Sequence, residues 1–484
     1  VHFPRRVGGL RTGVFGTAVL ADAVRGLDAD LAQSIERGRR WRQVFPGAFR
    51  STTALSAAAG DARIDIANDG LRSVRSLLRF GSADQPLSGA ATTAAGPMPD
   101  TVELSGTADP VGELQVPVGG ELVGGDRLRE MLADWRIHGY VEPGFLSAIS
   151  AVIDHPEWLS LPGYRVVLLG AGADLGPYRA LAAWGADLTL VDLPGAARWR
   201  ELQKVARAGA ATVRFPTWDG VPGADLVRQL PALSAWLTAG TDPQAQLLVG
   251  SHARVDGARG VLVAAASDAL VAELLAQRPN AAVGYLGGPT DCYAVGPDVM
   301  ADARRRARSS GRLTDMLRLM SGSQLFQPNY QEEVPDDTGH LWGVADAMLV
   351  AQGPNLALAQ RLHRWRAIVA TEAGRSVSYN VAPPVWSRSV YRHQAMVAAF
   401  HGARRFGIRV FEPATARVLL AAKLVADLYG QTGDLGPRPE GLGYRDALHG
   451  GLWRQPFVPA SILNVLAVSG VPGLIGDRLP FVRH

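Results

Sequence analysis

Tyr164–Pro194 reads YRVVLLGAGADLGPYRALAAWGADLTLVDLP, and the order of residue types in it decides how the middle of the chain folds. The apolar run Val166–Leu169 stops at Gly170, Gly172 and Gly176, spaced GxGxxxG. A helix-like segment, Pro177–Trp184, and a turn at Gly185 follow. A second apolar run, Leu188–Val191, then ends on Asp192. Strand, glycine turn, helix, strand and terminal acid form the layout of a nucleotide-binding βαβ unit. Small residues let the backbone approach a pyrophosphate, and the free N–H groups of a helix start favour its charge. A carboxylate at the tip of the second strand can accept hydrogen bonds from a ribose diol. Gly170, Gly172, Asp174, Leu175, Gly176, Asp192 and Leu193 are therefore the expected cofactor contacts. The competing reading is a tight strand-to-helix turn that binds nothing.

Outward from this unit the alternation continues. Helix Ala197–Ala208 leads to strand Ala211–Phe215, helix Ala224–Thr238 to strand Gln246–Val249, and helix Val261–Arg278 to strand Ala281–Leu286. Helix Leu356–Ala373 and strand Val377–Val381 follow, then helices Val390–Phe400 and Thr415–Leu428. Strands apolar throughout, alternating with helices, call for a mostly parallel, doubly wound α/β sheet covered on both faces. Residues 161–430 form this domain, interrupted at 300–345 by a charged helix, Met300–Met320, and a polar loop. Residues 1–82 read as a helical extension and 126–160 as a helical lead-in. Between them, 83–125 is a Gly/Pro/Ser-rich linker or covering arm, with one alternation at Leu114–Val118 that suits an edge strand. The tail, 431–484, is rich in Gly and Pro, with an apolar segment at Ile462–Val468.

Composition excludes several classes. With 47% hydrophobic and 19% charged residues, the 484-residue chain can pack a large core and is not a disordered protein. The net charge is only +4, and its basic residues are arginines apart from Lys204 and Lys423. The clusters Arg37–Arg42 and Arg304–Arg308 read as solvated helix faces, so no nucleic-acid partner is expected. A lone cysteine, Cys292, excludes an internal disulfide framework and a cysteine zinc cluster. Gly260–Ala276, the most apolar stretch, carries Asp268 and Glu273 and reads as a buried helix, so no membrane span is expected. Arg5, Arg6 and Arg11 precede only a short apolar patch, Val14–Leu20, which argues against a signal peptide. The expected location is cytoplasmic.

On these motifs the stretch from Arg165 to about Leu428 resembles the short-chain dehydrogenase/reductase family, a group with a Rossmann-type sheet. Its glycine content after the first strand is similar to that family's TGxxxGxG loop, although Leu169 stands where the threonine is usual. The resemblance implies a nicotinamide cofactor. Asp192 after the second strand implies NAD, and Arg198 nearby leaves NADP open. Ser378–Pro384 is similar to the family's sixth-strand ending, which closes over the nicotinamide, so Val381 and Pro383 join the cofactor set, with Ser251 after the fourth strand. The family's catalytic YxxxK aligns with Leu356 and Gln360, which can neither donate a proton nor lower a phenol's pKa. The usual carbonyl chemistry therefore does not carry over to these positions.

Substitutes are sought at the strand ends. Thr290 falls near the family's catalytic serine, Tyr293 offers a phenol, and His252 could contact phosphate or act as a general acid. Each has a structural alternative as a turn or core residue. Asp291 could serve as acid or base, while Cys292 reads as a buried inert thiol. His363, Arg364 and Arg366 read as a solvated or helix-packing face, and Tyr330, Glu332, Glu333, Asp336 and Asp337 as a polar surface loop without metal-ligand spacing. Three functions stay open: an NAD-dependent oxidoreductase with a changed active site, a dinucleotide-binding protein without chemistry, and an S-adenosylmethionine-dependent methyltransferase. The expected partner is a small molecule, with Trp342–Val350 and Val385–Val390 suiting a hydrophobic one. A homo-oligomer stays open too.

Overall fold

The computed structural model describes residues 1–4, 12–38, 40–92, 96–240, 242, 244–348, 352–391, 393–430 and 442–476. Arg5, Arg6, Arg11 and nearly all of the Gly/Pro-rich start of the tail lie outside them. Seven strands make the central sheet: β1 (Asp100–Ser105), β2 (Tyr164–Leu169), β3 (Asp187–Val191), β4 (Thr212–Trp218), β5 (Gln246–Ser251), β6 (Ala282–Gly287) and β7 (Val377–Val381). Their order is β7-β6-β5-β2-β3-β4-β1, with a short strand, Val221–Pro222, added on β4. β2 to β7 run parallel, and β1 closes the edge antiparallel to β4. Counted over the parallel strands this is the 3-2-1-4-5-6 order of the Rossmann fold. The strand order reverses between β2 and β5, which opens a crevice at their carboxyl ends.

Strand residues alternate between two cores, as a pleated sheet covered on both sides requires. Val167, Leu169, Val249 and Val283 face one core, and Val166, Leu168, Leu248 and Ala282 face the other. The first core is closed by α1 (Thr12–Arg25), α2 (Ala29–Arg37), α3 (Trp41–Ala58) and α4 (Arg63–Leu77) packed over two long helices. The second holds α5 (Pro143–Asp154) and α6 (Tyr178–Trp184). The two long helices of the first core are α7 (Gly257–Gln277) and α8 (Pro354–Glu372), and α9 (Pro413–Tyr429) completes the second. Proline at the first helical turn of α5, α8 and α9 removes an N–H that would have no partner there. α6 stops after seven residues because Gly185 takes a left-handed φ of 88°.

Four expectations change. The edge strand of the sheet is β1, not Leu114–Val118; Gln115–Val118 instead pairs with Glu121–Gly124 in a separate hairpin. Met300–Met320 is two helices, Pro297–Arg308 and Arg312–Met320, broken at Gly311. The helix expected from Ala224 starts at Leu230, because the Asp225 and Gln229 side chains hold a turn before it. The insertion also contributes a strand, Leu341–Asp346, that pairs with Cys292–Val295.

α7 is the one helix among the described residues long and apolar enough to cross a membrane, and it is mostly buried within the fold. Ion pairs hold the N-terminal helices to it and to α8. Arg75 and Arg366 converge on buried Asp268, and Arg63 pairs with Glu372 at 2.8 Å. His363, Arg364 and Arg366 thus form a buried packing face and not a solvated one. The Arg304–Arg306 cluster is paired as a surface face would be, with Glu333 and Asp302.

Candidate functional site: the crevice at the carboxyl ends of the strands

The glycine turn leaves β2 through Gly170, whose φ of 80° favours glycine. A Cβ there would also lie 2.6 Å from the backbone of Ala253, so the ends of β2 and β5 touch only because this residue lacks a side chain. Much of the turn is bonded to itself: Gly170 N–H donates to Val191, Ala173 N–H to Gly170 and Gly176 N–H to Ala173. Gly172 N–H donates to Asp192 Oδ2 at 2.7 Å. The Asp174 and Leu175 N–H groups have no partner among the described residues. Asp192 also accepts from Leu193 N–H at 2.7 Å on Oδ1, and Arg198 Nη1 forms an ion pair with that oxygen at 3.0 Å. A carboxylate offers about four acceptor positions, so room remains for a hydroxyl.

Two arginines complete this end, and no sequence signal singles them out from the chain's many others. Arg417 of α9 donates its Nε to the Asp174 carbonyl at 2.7 Å. Burial and the neighbouring Arg179 push the Arg417 pKa down, so two like charges lie beside the turn. Arg179 has no hydrogen bond or ion pair among the described residues. Excess positive charge beside open amides suits a phosphate. The helix that follows, α6, is too short for its dipole to add to this.

The ends of β5, β6 and β7 differ in character. Ser251 is buried, its hydroxyl shared with Ser267 Oγ at 2.7 Å and His363 Nε2 at 3.3 Å. His252 is buried beyond it, with Nδ1 unpartnered, and burial lowers its pKa to about 3. Burial likewise lowers His363 to about 4. Tyr293 is 1% exposed; its hydroxyl donates to the Gly288 carbonyl at 3.0 Å and accepts from Gly288 N–H at 3.1 Å. The Tyr379 hydroxyl lies 3.5 Å away, and burial pushes both phenols up, Tyr379 to about 12. Thr290 is 2% exposed and its Oγ1 has no partner among the described residues.

Asp291 is gripped by Arg361 through both carboxylate oxygens, and Arg361 reaches Thr53 of α3 at 2.8 Å. Burial raises the Cys292 thiol well above its ordinary value, as an inert core cysteine requires. Val381 packs against Gly443, and Pro384, one residue after Pro383, packs against Gly450, so the 442–457 segment covers the end of β7. That segment is clamped by Glu142, which binds His449 Nε2 at 2.8 Å and Arg454 at 2.6 Å. Leu356 and Gln360 are both buried in α8. In the insertion, Tyr330 donates to the Trp453 carbonyl at 2.6 Å and Asp336 holds the Trp342 indole at 3.0 Å.

The structure thus brings Gly170, Gly172, Asp174, Leu175, Gly176, Asp192 and Leu193 together. His252, Thr290 and Tyr293 lie further along the same edge, buried, and Ser251 is turned into the core.

No protein-family model and no curated protein matches the chain. Among solved structures, similar ones include an A-type ketoreductase from a modular polyketide synthase, at 17% identity and a TM-score of 0.32. That match covers 55% of this chain and 46% of the ketoreductase, so it spans about half of the latter's length. A short-chain dehydrogenase/reductase from Serratia marcescens is 12% identical, over 60% of this chain and 97% of its own, with a TM-score of 0.33. An A1-type ketoreductase is 15% identical, over 64% and 54%, also with a TM-score of 0.33. The Rossmann-type fold rests on the strand order described above.

Proposed function

We propose that the chain binds a nicotinamide dinucleotide across the β2/β5 crevice and is an oxidoreductase-like protein of the short-chain dehydrogenase/reductase type with a non-standard active site. The observation that carries this reading is the convergence, at the topological switch point, of open amides, a strand-end carboxylate and two arginines, Arg179 and Arg417, that the single Asp174 carboxylate offsets only in part. The Asp174 and Leu175 amides, with Arg179 and Arg417, would hold the pyrophosphate. The remaining acceptor capacity of Asp192 would take a ribose hydroxyl. Because Arg198 offsets the Asp192 charge, NAD is favoured over NADP only modestly. The bound group would supply hydride transfer.

The chain's own residues supply less. Leu356 and Gln360 hold no transferable proton, and the Tyr293 hydroxyl is committed to Gly288. The Thr290 hydroxyl at the β6 end has no partner among the described residues, but it is buried. Burial of Tyr293 and Tyr379 favours, as a second reading, a dinucleotide-binding protein that does no chemistry.

The test is a fluorescence titration with NAD, NADP and S-adenosylmethionine. Trp199 donates its indole N–H to the Leu193 carbonyl at 3.1 Å, next to Asp192, so the crevice has a local reporter. Saturation by NAD supports the reading, and a response to S-adenosylmethionine alone moves the protein to the methyltransferases. Saturation by NAD without hydride transfer to any ketone or alcohol leaves the non-catalytic reading.

A further inference from the structure

A cavity of about 610 Å³ opens where α3, the second insertion helix Arg312–Met320, the loop 321–332 and Val458 meet. It shares no residue with the nucleotide crevice, and its volume is that of a small-molecule pocket. Its polar lining comes from Arg50, Arg318, Ser323, Gln327, Gln331 and Glu332.

The loop that forms one wall is fixed through its main chain. Asn329 N–H donates to the Pro456 carbonyl at 2.9 Å, Val458 N–H to the Gln327 carbonyl at 2.8 Å, and Gln327 N–H to Ser461 Oγ at 3.1 Å. Arg304 Nη2 donates to the Tyr330 carbonyl at 2.6 Å. Within this wall Ser323, Phe326 and Tyr330 take left-handed φ values of 63°, 55° and 53°. That conformation is unfavourable for bulky side chains and persists only where the surroundings impose it. Here they do: Phe326 meets Phe457 edge-on at 5.2 Å, and the Tyr330 hydroxyl donates to the Trp453 carbonyl at 2.6 Å. Strained backbone of this kind collects where a chain shapes a ligand site.

The side chains on the cavity are held far less. The Ser323 hydroxyl, the Gln327 and Gln331 carboxamides and both guanidiniums make no hydrogen bond among the described residues. Arg50 lies 3.9 Å from Glu332, whose side chain is 86% exposed, and Arg318 lies 3.5 Å from exposed Asp315. Such long, solvated pairs hold a guanidinium weakly. Guanidiniums only donate, whereas carboxamides and hydroxyls donate and accept, so the lining offers more donors than acceptors. A partner rich in acceptor oxygens balances it. A guanidinium fork takes a carboxylate or phosphate through two parallel hydrogen bonds. The amide carbonyls and Glu332 are then left to accept from hydroxyl groups.

We infer that this cavity is a ligand site separate from the crevice, which takes a small hydroxylated oxyanion of the sugar-phosphate or sugar-acid class. Arg50 and Arg318 receive the anionic group, and Gln327, Gln331 and Glu332 the hydroxyls. The site stands independently of the nicotinamide reading.

The test is calorimetric titration of the full chain with glucose 6-phosphate, gluconate, glucose and inorganic phosphate. Glucose 6-phosphate or gluconate should bind more tightly than glucose or inorganic phosphate, and the tighter of the two identifies the anion as phosphate or carboxylate. The double variant Arg50→Gln/Arg318→Gln should weaken that binding about tenfold or more, and Gln327→Ala/Gln331→Ala by a smaller factor. Unfolding midpoints should stay near the native one, since these four side chains hydrogen-bond nothing described in the fold. Saturating NAD should leave the affinity unchanged. If NAD itself does not bind while the sugar anion does, the nicotinamide reading falls and this site stands. The site is overturned if neither sugar anion binds more tightly than glucose and inorganic phosphate, if both double variants bind like the native protein, or if NAD displaces the sugar anion. Should the arginine variant not fold, unchanged binding by Gln327→Ala/Gln331→Ala overturns it alone.

Discussion

The two halves of one sheet edge have opposite chemistry. At the ends of β2 and β3, Gly172 and Asp174 are exposed, backbone amides are open, and Arg179 and Arg417 outnumber the Asp174 carboxylate beside them. At the ends of β6 and β7, Thr290, Asp291, Cys292, Tyr293 and Tyr379 are all buried, and only the Thr290 hydroxyl lacks a partner among the described residues. The first half leaves hydrogen-bond donors and charge open, and the second holds the N-terminal helices and the 442–457 segment in place. A carboxylate, a thiol and a phenol in one short run look catalytic until their partners are known. Pairing and burial then remove the proton-transfer capacity that the residue types suggest.

The largest expected effect tests the closed half. Asp291→Ala leaves Arg361 buried without its carboxylate, which should cost about 3–5 kcal/mol in denaturant unfolding. A loss of under about 1 kcal/mol would mean that Asp291 is free for other work. At the junction of the halves, Gly170→Ala must accept both the φ of 80° and the contact with Ala253, at about 2–4 kcal/mol. The same variant should lose NAD binding, because the turn has to move.

Acid probes the closed half again. His252 and His363 titrate lower in the folded protein, at about 3 and 4, than in the unfolded chain. The unfolded state therefore binds more protons as pH falls below about 6.5, and unfolding midpoints should drop from there to about pH 3. A flat profile would place both rings in solvent.

Tyr293→Phe removes a hydroxyl bonded twice to Gly288 and should cost about 1–2 kcal/mol of stability without altering NAD affinity. Loss of turnover with full stability would instead make Tyr293 catalytic and reopen the closed half. The smallest effect on folding belongs to the open half. Asp192→Ala frees the Gly172 and Leu193 amides, which can turn to water, and should cost no more than about 1 kcal/mol, but it should weaken NAD roughly tenfold while improving NADP relative to NAD. Equal affinities in both proteins would mean that Asp192 only anchors Gly172.

Much of the fold is legible in the sequence, because it is written in local patterns. Val377–Val381 is a strand at the expected residues, and β2, β3, β5 and β6 each fall within two residues of expectation. Apolar runs ended by glycine or aspartate specify strand and turn over distances that the chain itself spans. The edge strand was harder. Asp100–Ser105 alternates Val102 and Leu104 with polar residues, but pairs with β4 more than a hundred residues away, and no local signal names that partner. The site divides in the same way. The glycine turn and Asp192 are local, whereas Arg179 and Arg417 are single arginines among many, placed at the crevice only by packing of α6 and α9.

By itself the sequence determined a doubly wound α/β sheet, a glycine turn opening onto Asp192, and the lack of a proton donor at Leu356 and Gln360. Periodicity and residue chemistry need no distant partner to be read. Only the tertiary structure decided which polar residues are free to act. It joined Asp291 to Arg361 across 70 residues, sealed Tyr293 against Gly288, and left the Thr290 hydroxyl without a partner among the described residues. Whether a side chain is paired depends on what lies opposite it, and that is settled only when segments remote in sequence pack together.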